Sequence, residues 1–210
     1  MKHHLPAFFI AVSQMKPINS NFKIIPPFNK TIQLYGDRSG GQGNFEFAGL
    51  AEIQEKKVVL LKGNDESLKN PSDWRRLVRL ILLAQRIKKP VLLWNLPLTH
   101  MANNQHPIPL VLGAAIQNAK IQLIKLQQPI VKVFDENIEW NDAMQELELG
   151  DGVIIVKPEK TNSIPSEKLE RKKLKIVSKQ TEITNEIINL LQELTTGPIV
   201  ELVNNRLQTL

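Results

Sequence analysis

The sequence predicts an α/β fold on a mostly parallel sheet, with an irregular N-terminal arm and helices at the C-terminal end. Two observations carry this. Four short apolar runs, "KVVLLKG" (57–63), "VLLWN" (91–95), "IVKVF" (130–134) and "GVIIV" (152–156), are continuous rather than alternating, the pattern of strands buried on both faces. Segments of helical periodicity separate them, and a strand–helix–strand alternation needs crossover connections and hence parallel pairing. With 210 residues and a hydrophobic fraction of 42%, the chain is long enough to bury a full core.

Each element has a local reason. Residues 1 to about 30 are rich in Pro and Asn, and Pro26-Pro27 forbids regular helix. The start, "MKHHLPAFFIAVSQMK", is an apolar run broken by Pro6 and too short to span a bilayer. It reads as part of a soluble, cytoplasmic chain, a signal peptide being the alternative. "FAGLAEI" (47–53) and the run from 57 form a hairpin, joined at Glu55 to Lys57, that feeds a buried strand. "NPSDWRRLVRLILLAQRIKK" (70–89) opens with the helix-start residues Asn70, Pro71, Ser72 and Asp73. Its Trp74, Leu77, Val78, Ile81 and Ala84 recur at three- and four-residue steps, giving one broad buried face. Pro90 stops it. A second long helix (110–128) ends at Pro129, a short one (141–150) closes at Gly150, and two more follow at about 181–195 and 199–208.

Charge and composition exclude some chemistry. The absence of cysteine removes disulfides, thiolate metal sites and cysteine nucleophiles. The four histidines, His3, His4, His100 and His106, form no zinc-ligand spacing. Net charge is +6, much of it in "KPEKTNSIPSEKLERKKLK" (157–175). That block is either a solvated helix or loop surface or an anion-attracting patch, with Lys168, Arg171, Lys172 and Lys173 as possible phosphate contacts. No aromatic residues interleave it, which weighs against single-stranded nucleic acid.

One stretch, "LYGDRSGG" (34–41), sets Gly36, Asp37 and Arg38 beside Gly40, Gly41 and Gly43 in a chain with ten glycines. Taken alone it is either a surface turn or a place where backbone approaches a partner closely. In context, "LYGDR" resembles the Leu-His-Gly-Asp-Arg signature of the carboxyltransferase alpha subunit of acetyl-CoA carboxylase. "FAGLAEIQEKKVVLLKG", "PSDWRRLVRLILLAQRIKKPV", "QPIVKVF" and "GDGVIIV" follow in that family's order and near its spacing, so the resemblance covers roughly residues 31 to 195.

The resemblance implies a crotonase-like ββα superhelix, shared with Clp proteases, in which Gly36, Asp37 and Arg38 are architectural. It implies a carboxyltransferase alpha-like domain at 31–180, between the irregular arm at 1–30 and the helical segment at 181–210 read from the sequence pattern. It also implies a beta-type partner subunit or self-association, and carboxyl transfer from carboxybiotin to acetyl-CoA, with an acyl-CoA or carboxybiotin as ligand and no covalently bound cofactor.

Departures from that pattern bear on activity. Where the family has a glycine-rich oxyanion loop, this chain has "DENIEWNDAM" (135–144), with no glycine and with Asp135, Glu136, Glu139 and Asp142. A Cβ hinders close backbone approach, and a charge about 4 Å from an oxyanion costs about 1 to 4 kcal/mol at effective dielectrics between water and a protein surface. Asn137 and Asn141 are the remaining neutral donors of this degenerate loop. "NLPLT" (95–99) keeps Pro97 of the family's Asp-Thr-Pro-Gly-Ala turn but loses its glycine, and "HMANNQHPIP" (100–109) replaces an acidic segment. His100 and His106 there are either exposed loop residues or acid–base groups without an evident orienting carboxylate.

No residue is thereby assigned as catalytic. Three expectations follow: a fold-retaining pseudoenzyme that binds or regulates a partner, an active carboxyltransferase component whose divergent loop works differently or whose beta-type partner supplies the missing amides, or a binder of nucleic acid or acidic surfaces through 157–175.

Overall fold

The structure, a computed structural model, describes residues 27–35, 43–64, 66–96, 98, 109–135, 149–156 and 173–208. These residues build a seven-stranded sheet whose spatial order is the chain order: β1 (Lys30–Gln33), β2 (Phe47–Ile53), β3 (Lys56–Lys62), β4 (Val91–Trp94), β5 (Ile130–Phe134), β6 (Gly152–Val156) and β7 (Lys173–Val177). The first three pair antiparallel, and β3 to β7 run parallel. Four helices are described: α1 (Pro71–Ile87), α2 (Leu110–Lys125), α3 (Ile183–Thr196) and α4 (Ile199–Leu207).

The continuous apolar runs are explained by two cores, one on each face. Val59, Leu61, Val91, Leu93 and Ile130 meet Trp74, Leu77 and Ile81 of α1 and Ala119 and Leu123 of α2. The intervening residues Leu60, Leu92, Val131, Val133 and Ile154 meet Ile187, Leu190, Leu191 and Leu194 of α3. Alternate side chains of one strand thus serve opposite cores, so both sets are apolar apart from the fully buried Lys132 of β5.

Helix boundaries follow the punctuation of the sequence. At the start of α1, the Asn70 N–H donates to the Asp73 carboxylate at 3.3 Å, and Pro71 takes the first helical position, where no N–H is needed. Its end is a left-handed Lys88 (φ 53°) whose N–H donates to the Ala84 carbonyl, with Pro90 beyond. Trp74 is fully buried, and its indole N–H donates to the Leu68 carbonyl at 2.8 Å.

At the amino ends of β5 and β6, a buried Arg206 from α4 places each of its five N–H donors. Nε donates to Asp151 Oδ1 at 2.8 Å, and Nη2 donates to Asp151 Oδ2 and to the Gln128 carbonyl. Nη1 donates to the carbonyls of Leu123 and Leu126 at the end of α2. Asp151 is engaged in turn, because its Oδ2 accepts the Ile130 N–H at 2.7 Å. One guanidinium therefore caps α2, neutralises a buried carboxylate and anchors α4.

Several expectations need adjusting. β1 starts at Lys30, the last residue of the expected arm, and runs to Gln33, where no strand was expected. The turn of the first hairpin is Gln54–Glu55, both at positive φ, and Lys56 and Lys57 already belong to β3. Residues 173–175 of the basic block are neither helix nor loop: they open β7, held by backbone pairing to β6. On α4, Leu202 lies in the core while Ile199 and Leu207 are about half exposed. The short helix expected over 141–150 falls outside the described residues except at its last two positions.

Candidate functional site

In open α/β sheets, ligands usually sit beyond the carboxyl ends of the parallel strands. Here that edge brings together Gly63 after β3, Asn95 after β4 and Asp135 after β5. The chain packs tightly there: a Cβ on Gly63 would lie 2.6 Å from the Asn95 carbonyl oxygen and 2.4 Å from Leu96 Cδ2. Asn95 is buried and left-handed (φ 48°), a conformation Asn tolerates better than most residues.

Asn95 is bonded directly to Asp135. Its Nδ2 donates to Asp135 Oδ1 at 2.5 Å, and its Oδ1 accepts the Asp135 main-chain N–H at 3.1 Å. Three further amides of this edge are engaged as well. Gly63 N–H donates to the Trp94 carbonyl and Asn95 N–H to the Val133 carbonyl, each at 2.8 Å. Asn64 N–H donates to Ser67 Oγ at 3.0 Å. An oxyanion site needs donors aimed at a developing charge. The amides of Gly63, Asn64, Asn95 and Asp135 are satisfied within the protein, and Asp135 sets a carboxylate beside them.

Of the residues singled out in the sequence, Asp135 sits at this edge. Glu136, Asn137, Glu139, Asn141 and Asp142 lie outside the described residues, as do Gly36, Asp37 and Arg38, His100 and His106, and Lys168, Arg171 and Lys172. Lys173 is described: its ammonium pairs with Glu193 of α3 at 2.7 Å. The hydrogen bond from Lys173 holds the Glu193 carboxyl below its ordinary range.

A second constellation escaped the sequence reading. Tyr35 and Gly43 flank the "GDRSGGQ" segment, and both lie near the first turns of α1. Gly43 has φ 69°, and a Cβ there would come within 2.7 Å of Asp73 Oδ1, the oxygen that accepts the Asn44 N–H at 2.6 Å. Arg76 Nη2 donates to the Leu34 carbonyl, and the guanidinium lies 5.7 Å from the Phe45 ring centroid. Burial first, and then the charge of Arg79, push the Arg76 pKa down; Asp73 and Tyr35 act in the opposite direction. Arginine stays charged even so. The spacing of Arg75, Arg76 and Arg79 was visible in the sequence, but nothing local tied it to Tyr35.

Among the described residues, no group of three His, Cys, Asp or Glu side chains is placed to hold a metal ion, and no helix is long and apolar enough to cross a membrane. No protein-family model and no curated protein matches the chain. Solved structures do. One is transcarboxylase 12S, a hexamer assembly and multienzyme core, with hydrolysed methylmalonyl-coenzyme A bound. It matches with a TM-score of 0.36 and 9% identity over 68% of this chain and 25% of that one. The same protein with methylmalonyl-coenzyme A and methylmalonic acid bound matches with a TM-score of 0.36 and 10% identity over 59% of this chain and 24% of that one. The chain thus spans about a quarter of the length of the proteins it matches. Similarity of this size bears on neither activity nor partners.

Proposed function

We propose that this chain is a divergent, crotonase-like relative of the carboxyltransferase alpha subunit that binds or regulates a partner and does not itself catalyse carboxyl transfer. In this reading residues 31–180 are the functional domain, 181–210 brace it, and the partner is a beta-type subunit or a second copy. An acyl-CoA is the ligand class to which such a fold is suited. Supporting the kinship are the ordered sequence landmarks and a sheet whose parallel strands succeed one another without reversal.

The observation that carries the non-catalytic half is the Asn95–Asp135 closure. The first amide after β5, where the related enzymes begin their oxyanion loop, donates to a side chain of its own protein. Loss of a single oxyanion donor costs about two to three orders of magnitude in rate, and here a carboxylate is added beside the lost donor.

The test is carboxyl transfer between carboxybiotin and acetyl-CoA, assayed in both directions with partners co-purified from the native cell. The expected result is no turnover above background, with a beta-type subunit recovered alongside the chain. Robust turnover that disappears when residues 135–144 are altered would overturn the reading and make the chain an active component.

A further inference from the structure

We propose that the amino edge of the parallel strands binds the phosphate backbone of a nucleic-acid duplex, DNA or RNA, through residues other than the basic block at 157–175. This goes beyond the reading above and does not depend on it, because the strand-end constellation lies at the opposite end of the same strands.

The topology gathers cations here from three separate places. The first hairpin opens β3 with Lys56 and Lys57, α1 ends at Arg86 and Lys88 with Lys89 next to it, and α2 ends at Lys125. These places adjoin. The β3–β4 ladder is prolonged by the Val59 N–H donating to the Pro90 carbonyl at 2.9 Å, and Gln85 of α1 is bonded to Gln127 just beyond α2. Five of the six side chains are exposed and Lys89 is half-buried. Among the described residues none of the six has an ion-pair partner. From β1 to β5 the described carboxylates of this edge are Glu52, which Lys30 holds at 3.3 Å, and Glu55 in the hairpin turn. The C-termini of α1 and α2 add only about half a negative charge each. The sign changes past β5, where Glu193 and Glu201 stand beside Lys173, and this bounds the patch.

The distribution selects the partner. At about 4.8 Å between strands, the cations on β3 and beside β5 lie roughly 10 Å apart, too wide for one small anion to bridge. A duplex presents about six phosphate charges over that length. Five of the six cations are lysines, point charges that suit sequence-independent backbone contacts better than base edges. Lys is depleted at protein–protein interfaces, whereas interfaces with nucleic acid are far more positively charged. Membrane insertion needs apolar side chains, and those of this edge, Ile87 and Leu126, pack into the core. No exposed aromatic side chain is described here to stack single-stranded bases.

The test is fluorescence anisotropy of the full chain with short labelled DNA and RNA duplexes over a range of salt. Expected is duplex binding whose log affinity falls against log salt with a slope of about −4, as for about four or five backbone contacts. The tighter duplex identifies the nucleic acid. Lys56→Gln with Lys57→Gln and Lys89→Gln should weaken binding about tenfold or more and reduce the slope by about 2–3. Lys168→Gln with Arg171→Gln should leave both unchanged. Should the triple variant fail to fold by circular dichroism, Lys56→Gln with Lys125→Gln replaces it and must reduce the slope by about 2. The proposal is overturned by the absence of salt-dependent binding to either duplex, by an unchanged slope in a folded edge variant, or by a loss confined to Lys168→Gln with Arg171→Gln. Tighter binding of poly-glutamate or of phosphatidylserine vesicles than of both duplexes would equally overturn it, in favour of an acidic protein or a membrane.

Discussion

Replacing Arg206 with methionine keeps much of the side-chain volume and removes all five donors. Asp151 then stays buried with its charge uncompensated, and the carbonyls of Leu123, Leu126 and Gln128 lose their guanidinium partner. Breaking a buried ion pair from one side costs about 3–5 kcal/mol. Each buried acceptor left unmet adds about 1–3 kcal/mol, though relaxation and water keep such terms from summing. A loss of at least about 4 kcal/mol is expected, a large share of the roughly 5–15 kcal/mol that holds a domain folded. Urea denaturation read by far-ultraviolet circular dichroism measures it, with an unchanged slope confirming that the same surface is exposed. A second variant, Arg206→Met with Asp151→Leu, removes the orphaned charge and should recover part of the loss. It should not recover all of it, because the Leu126 and Gln128 carbonyls still lack the guanidinium and the Ile130 N–H still lacks its acceptor. A loss below about 1 kcal/mol in the single variant, at constant slope, would refute the capping role, since that is the range of an exposed pair.

At Asn95, substitution by Gly and by Ala both delete the bonds to Asp135, but only Ala meets the left-handed backbone with a Cβ. Ala should therefore be less stable than Gly by about 1–2 kcal/mol, and equal stabilities in chemical denaturation would contradict this. Gly63→Val should be destabilising because its side chain meets the main chain at Asn95, with amide shifts at Asn95 and Asp135 moving most. For Lys173–Glu193, the folded Glu193 pKa lies below its ordinary value. The pair's stabilisation is thus present above the ordinary carboxylate range and is lost as pH falls through the folded pKa. Lys173→Ala should raise the Glu193 pKa toward that range in a carboxyl-carbon NMR titration, with little change in stability because both groups are largely exposed.

The four central strands were legible because burial on two faces makes them almost wholly apolar, with Lys132 of β5 the buried exception, and α1 because its apolar spacing, Asn70–Pro71 start and Pro90 stop agree. The edge strands were not legible. "KTIQ" and "KLKIV" carry the lysines by which sheet edges resist further pairing, and the same lysines read as an arm and as a solvated block. At the strand-end site, the sequence placed Asp135 directly after a strand. It could not show that Asn95, 40 residues earlier, takes up its amide. Arg206 was invisible for the same reason: on an amphipathic helix an arginine reads as solvent-facing, and the carboxylate that draws it inward lies 55 residues away.

Because spatial order in the sheet equals chain order, a chain made from its N-terminus can add each strand to the edge left by the one before. Pairing partners are always the nearest strands in sequence, which shortens the loops that must close before a contact forms. Arg206 breaks that economy. Its contacts with α2 reach back 83 and 80 residues, so throughout synthesis the end of α2 and the Asp151 carboxylate wait for a cap encoded well downstream. Between the emergence of β6 and that of α4, the Asp151 carboxylate has no Arg206 to pair with. A ribosome stalled there would hold a nearly complete sheet whose buried charge has no counterion.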